Sequence, residues 1–133
     1  MIGRTGMRPR RMLALLAVAG LWPMTAAAVT PQDFELETAQ DLVDVCSVTP
    51  EDPLAEQAVN YCYGFVTGAM HYHRAVAAGP DYRPIVCPPE PPTNREVVDF
   101  FLEWAQDPAN SQYLSEPPVE TLLFAGSQEF PCE

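Results

Sequence analysis

Residues 53–78 read PLAEQAVNYCYGFVTGAMHYHRAVAA, a stretch free of internal proline. Ala55, Val59, Cys62, Val66, Ala69, His73 and Val76 follow one another in steps of four and three, the period of one helix face and not the alternation of a strand. Working outward, prolines divide the flanking sequence into three more segments of helical period. Upstream, Leu36, Ala39, Leu42, Val43 and Cys46 share a face, Thr38 and Asp41 are spaced as a capping box, and the segment ends before Pro50. Downstream, Thr93-Asn94-Arg95-Glu96 is a second capping box, followed by Val97, Val98, Phe101, Trp104 and Ala105 on one face and a stop at Asp107-Pro108. A fourth segment has Ser115 as its expected cap, Pro117 and Pro118 in its first turn, and Val119, Leu122, Leu123 and Phe130 as its apolar positions. The expectation is an all-α four-helix domain.

The first 28 residues have another character. Arg4, Arg8, Arg10 and Arg11 precede the apolar run Met12 to Trp22 and then Ala26-Ala27-Ala28. This is the pattern of a cleaved export signal, with an apolar part too short to span a bilayer. Cleavage after Ala28 leaves one domain over residues 29–133, exported to a bacterial periplasm with no lasting membrane anchor. That part keeps three arginines (Arg74, Arg83 and Arg95) and no lysine against all 18 acids, a net charge of −15. Nucleic acid phosphates and anionic lipid heads are excluded as partners, because both require clustered cation. A basic partner is favoured.

Cys46, Cys62, Cys87 and Cys132 are an even set in a short exported chain and predict two disulfides. Their intervals of 15, 24 and 44 residues do not fit a zinc site, whose cysteines pair at a spacing of about two to four. Residues 79–92, GPDYRPIVCPPEPP, form a stiff proline-rich strap between the second and third helices. From Ala78 the strap reaches roughly 30 Å by Cys87, while Cys62 lies about 24 Å back along the helix. A Cys62–Cys87 bridge is therefore feasible and would leave Cys46 to Cys132 by elimination. Four cysteines nevertheless allow three pairings, and spacing does not choose among them.

Catalytic equipment is sparse. His71 and His73 point about 200° apart on a helix and cannot chelate one ion, and His73 reads as a hydrogen-bonded core or interface side chain. Two disulfides leave no thiol nucleophile. The serines lie in no nucleophile motif, no glycine-rich phosphate loop occurs, and the carboxylates are spaced like solvated helix faces. No cofactor and no metal is expected. Gly64 and Gly68 each cost about 1 kcal/mol of helix propensity relative to alanine, so close approach of another backbone is expected there. Tyr63, Phe100 and Tyr113 are candidates for an exposed contact patch or a dimer face.

The first-helix cysteine after DLVDV, the motif YCYGFVTG over 61–68, VCPP over 86–89, the helix closed by Asp107-Pro108 and the terminal FPC over 130–132 together resemble the Rap/Tai immunity-protein family. The resemblance covers nearly all of residues 29–133. It implies a small helical periplasmic protein, often a homodimer, that plugs the cleft of a peptidoglycan amidase injected by a type VI secretion system. A binding protein, not an enzyme, is thus expected. A periplasmic acid-stress chaperone of the HdeA-like type stands second, since 18 acids make association sensitive to pH, although the absence of lysine departs from it. The polar segment 107–118 lies between two helices as an exposed tip. Its residues Asp107, Asn110, Ser111, Gln112 and Tyr113 are the expected partner-binding surface, with Asp99 and Glu103 of the third helix steering a basic toxin.

Overall fold

The computed structural model describes residues 28–133, so the leader expected over residues 1–28 falls almost wholly outside it. Four helices follow in order: α1 (Ala39–Cys46), α2 (Ala55–Ala77), α3 (Asn94–Gln106) and α4 (Pro118–Glu129). Tight 3₁₀ turns occupy Pro31–Glu35 and Pro108–Tyr113. No strand occurs among the described residues, and none of their helices is long and apolar enough to cross a membrane.

The shortest helix is the hub. α1 packs against α2, α3 and α4, and its Ala39, Leu42 and Val45 are fully buried. Eight residues form too little helix to be stable alone, so the ends are held from outside. Thr38 and Asp41 make the expected capping box: the Thr38 backbone N–H donates to Asp41 Oδ2 at 2.8 Å and the Asp41 N–H to Thr38 Oγ1 at 3.3 Å. The next unpaired donors, the N–H groups of Ala39 and Gln40, reach the carbonyls of Glu116 (2.8 Å) and Leu114 (2.9 Å). The return of the 107–118 segment therefore caps α1, satisfying donors that a helix start leaves open. Just upstream, Leu36 sits in the left-handed region at φ 48°, which costs a non-glycine residue roughly 1–2 kcal/mol. Its side chain is packed against the core, and that burial offsets the strain.

α2 buries Ala58, Cys62, Val66 and Ala69. Val59, expected on this seam, is 40 % exposed, and Ala58 holds its place. Asp52 fastens the start of α2, accepting from the Leu54 N–H through one oxygen (2.8 Å) and from the Val29 N–H through the other (2.9 Å). α3 begins with the predicted Thr93/Glu96 box and buries Val98, Phe101 and Ala105. Asn94 Nδ2 donates to Thr67 Oγ1 at 2.6 Å, and that hydroxyl donates in turn to the Tyr63 carbonyl, joining α3 to α2. α4 starts at Pro118, whose missing N–H is no loss at a first helical position. Ser115 is not its cap; the Ser115 hydroxyl donates to the Gln112 carbonyl instead.

The disulfides pair Cys46 with Cys62 and Cys87 with Cys132, leaving no free cysteine. This corrects the Cys62–Cys87 and Cys46–Cys132 pairing that reach allowed. Reach only bounds which sulfurs can meet; packing selects. α1 and α2 form a hairpin in which Cys62, 1 % exposed, lies on the seam facing α1. The strap runs not along α2 to Cys62 but beside the chain end, where the Cys87 N–H donates to the Phe130 carbonyl at 2.9 Å.

Close approach likewise occurs elsewhere than expected. Gly64 and Gly68 are exposed, and a Cβ at either would meet nothing within 4 Å. At Gly126 of α4 an added Cβ would lie 3.1–3.2 Å from both Val86 methyls, so this glycine is what lets the strap lie against α4.

Candidate partner-binding surface

The 107–118 segment, expected as an exposed polar tip, is a 3₁₀ corner held by its own hydrogen bonds. Asp107 ends α3 in extended backbone and accepts the Ala109 N–H through Oδ1 at 2.9 Å, starting the 3₁₀ turn. Asn110 Nδ2 donates back to the Trp104 carbonyl at 2.9 Å, satisfying one of the acceptors a helix end leaves open. The Ser111 hydroxyl donates to the Pro108 carbonyl at 2.9 Å. Thr121, buried in α4, donates its hydroxyl to the Tyr113 carbonyl. Asp107, Asn110 and Ser111 thus shape the corner, whereas the Gln112 side chain is exposed.

Aromatic packing backs the corner. The Tyr113 ring lies 4.7 Å from Phe124 and 5.9 Å from Trp104, and Trp104 stacks on Phe101 at 6.2 Å. Such pairs stabilise by roughly 0.5–1.5 kcal/mol beyond their burial. Tyr113 is therefore half-buried in a cluster and is not a free contact side chain. Phe100 and Tyr63 are also half-buried, Phe100 beside Phe130 and Tyr63 against the core.

Between α3, the corner and the end of α4 opens a cleft of about 500 Å³, lined in part by Phe100, Glu103, Trp104, Asp107, Asn110 and Glu129. Trp104 Nε1 donates to Gln128 Oε1 of α4 at 3.2 Å. Three of the sequence-picked residues (Glu103, Asp107 and Asn110) meet here. Asp99, Ser111 and Gln112 are exposed but do not line it. Glu129 was not foreseen: it belongs to the last turn of another helix, and no spacing within α3 or the corner points to it. The result is three carboxylates on the rim of a groove with an aromatic floor.

A second hollow, about 460 Å³, lies between the end of α2, the strap, α3 and α4 and shares Phe100 with the first. It is almost wholly apolar. His73 stands at its edge, half-buried, with Nε2 accepting the strap's Ile85 N–H at 3.3 Å, the role of a hydrogen-bonded side chain that its place on the seam predicted.

Two carboxyls depart from their ordinary titration. Burial pushes that of Asp44 up, assisted by the charges of Asp33 and Asp41 and opposed by a 2.9 Å hydrogen bond from Gln40. The backbone N–H and hydroxyl of Thr93 hold the Glu96 carboxyl below the usual range. Neither group lines the cleft. No group of three or more His, Cys, Asp or Glu side chains among the described residues is placed to hold a metal ion.

No curated protein and no solved structure matches the chain significantly. A family model described as Rap1a immunity proteins matches residues 38–132, from the cap of α1 to the last cysteine.

Proposed function

The chain belongs to the Rap1a immunity protein family, and from this premise we propose that it is a periplasmic inhibitor that binds and blocks a peptidoglycan amidase delivered by type VI secretion. The supporting observation is the pre-shaped acidic cleft, where Glu103, Asp107 and Glu129 rim an aromatic floor beside the corner that carries Gln112. A corner already held by its own hydrogen bonds loses little freedom on binding, and rigid presentation of this kind raises affinity for a given contact area. The rim charges, with Asp99 nearby on α3, steer a basic toxin surface toward the corner, and the net charge of −15 on residues 29–133 acts in the same direction at longer range. The protein works by occupying the toxin's cleft and carries out no chemistry of its own.

The test is a binding measurement with an amidase captured from secreted fractions by the oxidised mature protein. Gln112→Ala combined with Glu103→Lys and Glu129→Lys should slow association and weaken binding by about tenfold or more, with amidase inhibition lost in parallel and the thermal midpoint little changed. Tyr113 is left intact, because its removal would loosen the aromatic packing and confound the result. Unchanged affinity in the triple variant would transfer the interface to the strap around Tyr82 and Arg83, both exposed.

One observation bears on the acid-stress chaperone reading. The Glu96 carboxylate caps the start of α3, so its protonation weakens the helix end that adjoins the strap. Under that reading, client binding without any toxin would appear only on acidification.

A further inference from the structure

We propose that the apolar hollow beneath the strap is a binding site for a free single-chain amphiphile with an anionic head, of the acyl carboxylate class. The hollow is bounded by α2, the strap, α3 and α4, with Met70, Val86, Leu122 and Phe130 among its walls. Its volume of about 460 Å³ falls within the roughly 300–1,000 Å³ usual for small-molecule sites. Those walls supply the apolar contact that a hydrocarbon chain requires.

Charge selects the head group. The described part of the chain carries 18 acids against three arginines, yet no carboxylate lines the hollow, and Arg74 does. Arg74 is exposed in the last turn of α2, and the positions one helical turn away (Met70, His71, Ala77 and Ala78) bear no acid that would neutralise it. The hollow is thus a cationic-edged apolar site on a strongly anionic protein. That polarity is opposite to the acidic cleft proposed for a basic toxin, so the two hollows take different partners. It also disfavours a membrane surface, where the net charge of −15 on residues 29–133 would be repelled by anionic headgroups while a single carboxylate can still reach Arg74.

The strap is suited to admit such a ligand. Its far end is fixed by the Cys87–Cys132 bridge and by the Cys87 N–H on Phe130. Nearer α2, the Ile85 N–H bonded to His73 Nε2 is its side-chain tie, and Ile85 itself is half exposed. The exposed residues 80–85 can therefore lift while Val86, packed on Gly126, and Cys87 stay in place.

Calorimetric titration of the oxidised mature protein decides the matter, with dodecanoate, dodecanol and dodecyltrimethylammonium each kept below micelle-forming concentration. Long-range charge alone ranks the cation first. The proposal requires the reverse: dodecanoate binds one to one and at least about tenfold tighter than dodecyltrimethylammonium. Arg74→Gln should then weaken dodecanoate by about tenfold, which is about 1.4 kcal/mol, and leave dodecanol unchanged. Leu122 is buried and its replacement could unfold α4, so half-buried Leu123→Glu serves as the second variant, and it should abolish dodecanoate binding with the helical signal intact. Absence of dodecanoate binding, tighter binding of the cation, or an Arg74→Gln variant indistinguishable from the parent would each overturn the proposal. Flotation with phosphatidylglycerol vesicles should leave the protein in the aqueous fraction, and its recovery with the vesicles would replace the free-ligand site by a membrane contact. No toxin enters any of these measurements, so their failure leaves the immunity reading untouched.

Discussion

The α1–α2 hairpin and the strap are each tied by one disulfide, yet the two regions are built on different principles. In the hairpin the Cys46–Cys62 bridge closes 16 residues, and its Cys62 sits inside the core among Leu42, Val45 and Val66. In the strap the Cys87–Cys132 bridge spans 45 residues, Cys87 is exposed, and the strap segment 80–86 lies over a hollow. The first bridge reinforces packing that is already dense. The second fastens a strap that packs on α4 at Val86 but is exposed over residues 80–85. A disulfide's effect on a domain therefore depends on what the surrounding chain would do without it.

That contrast breaks if loop length alone governs stability. Loop-closure entropy assigns about 3 kcal/mol to the hairpin bridge and about 4 kcal/mol to the longer one. The structure reverses the order. Cys46→Ser with Cys62→Ser leaves a hydroxyl buried in the core in addition to the lost constraint, and should lower global stability by about 4 kcal/mol or more in urea unfolding. Cys87→Ser with Cys132→Ser frees the strap in the folded state as well, so less of the entropy difference between folded and unfolded chains is lost. It should reduce global stability by about 2 kcal/mol or less while accelerating amide exchange along residues 80–87. Equal or opposite losses would show that the strap is part of the cooperative core. In the intact protein, graded thiol reduction followed by alkylation and mass mapping should open Cys87–Cys132 first, because Cys87 is exposed and Cys62 is not.

The glycines sharpen the same comparison at smaller amplitude. Gly64→Ala and Gly68→Ala add a methyl to open helix surface and should each stabilise by about 0.5–1 kcal/mol in thermal melts. Gly126→Ala gains the same helix propensity but presses on Val86, and should yield no net stabilisation while loosening the strap in exchange measurements. A stabilising Gly126→Ala would mean that Val86 moves aside at no expense.

The smallest effect is expected from titration. Asp44 has a raised folded-state value, so the folded chain holds its proton more firmly than the unfolded chain, and stability declines as pH climbs from the ordinary Asp value through the higher folded one. Asp44→Asn should raise the thermal midpoint slightly at neutral pH and lose that advantage below pH about 4. Glu96 has the opposite sign: its lowered value contributes stability above the ordinary Glu range that is lost as pH falls through the folded value. Glu96→Gln should therefore melt slightly earlier at neutral pH and converge with the parent in acid.

Much of this architecture was legible from local pattern. The capping boxes at Thr38/Asp41 and Thr93/Glu96, the long helix ending before Gly79-Pro80, and the stop at Asp107-Pro108 depend on residues within one turn of each other, and they stand where spacing put them. The candidate surface was legible only in part. Glu103, Asp107 and Asn110 meet in one cleft because they are neighbours along α3 and the corner, while Glu129 enters it from a helix whose angle no local spacing records. Tyr113 reads as an exposed tip residue from its polar neighbours, but Trp104 and Phe124 converge on it from other elements.

Sequence alone was enough for four helices and most of their ends, though not the cap of α4, and for the expectation of two disulfides, the strongly acidic balance and the resemblance that the family match bears out. Each of these follows from composition or from interactions a few residues long. Which cysteines join, which glycine admits a neighbour, and where the two hollows open were set by the packing of the whole domain. Those depend on the packing angles of α1, α4 and the strap, and such angles emerge from the whole set of side chains filling one core, so contacts between distant residues carry no signature in the spacing of either partner.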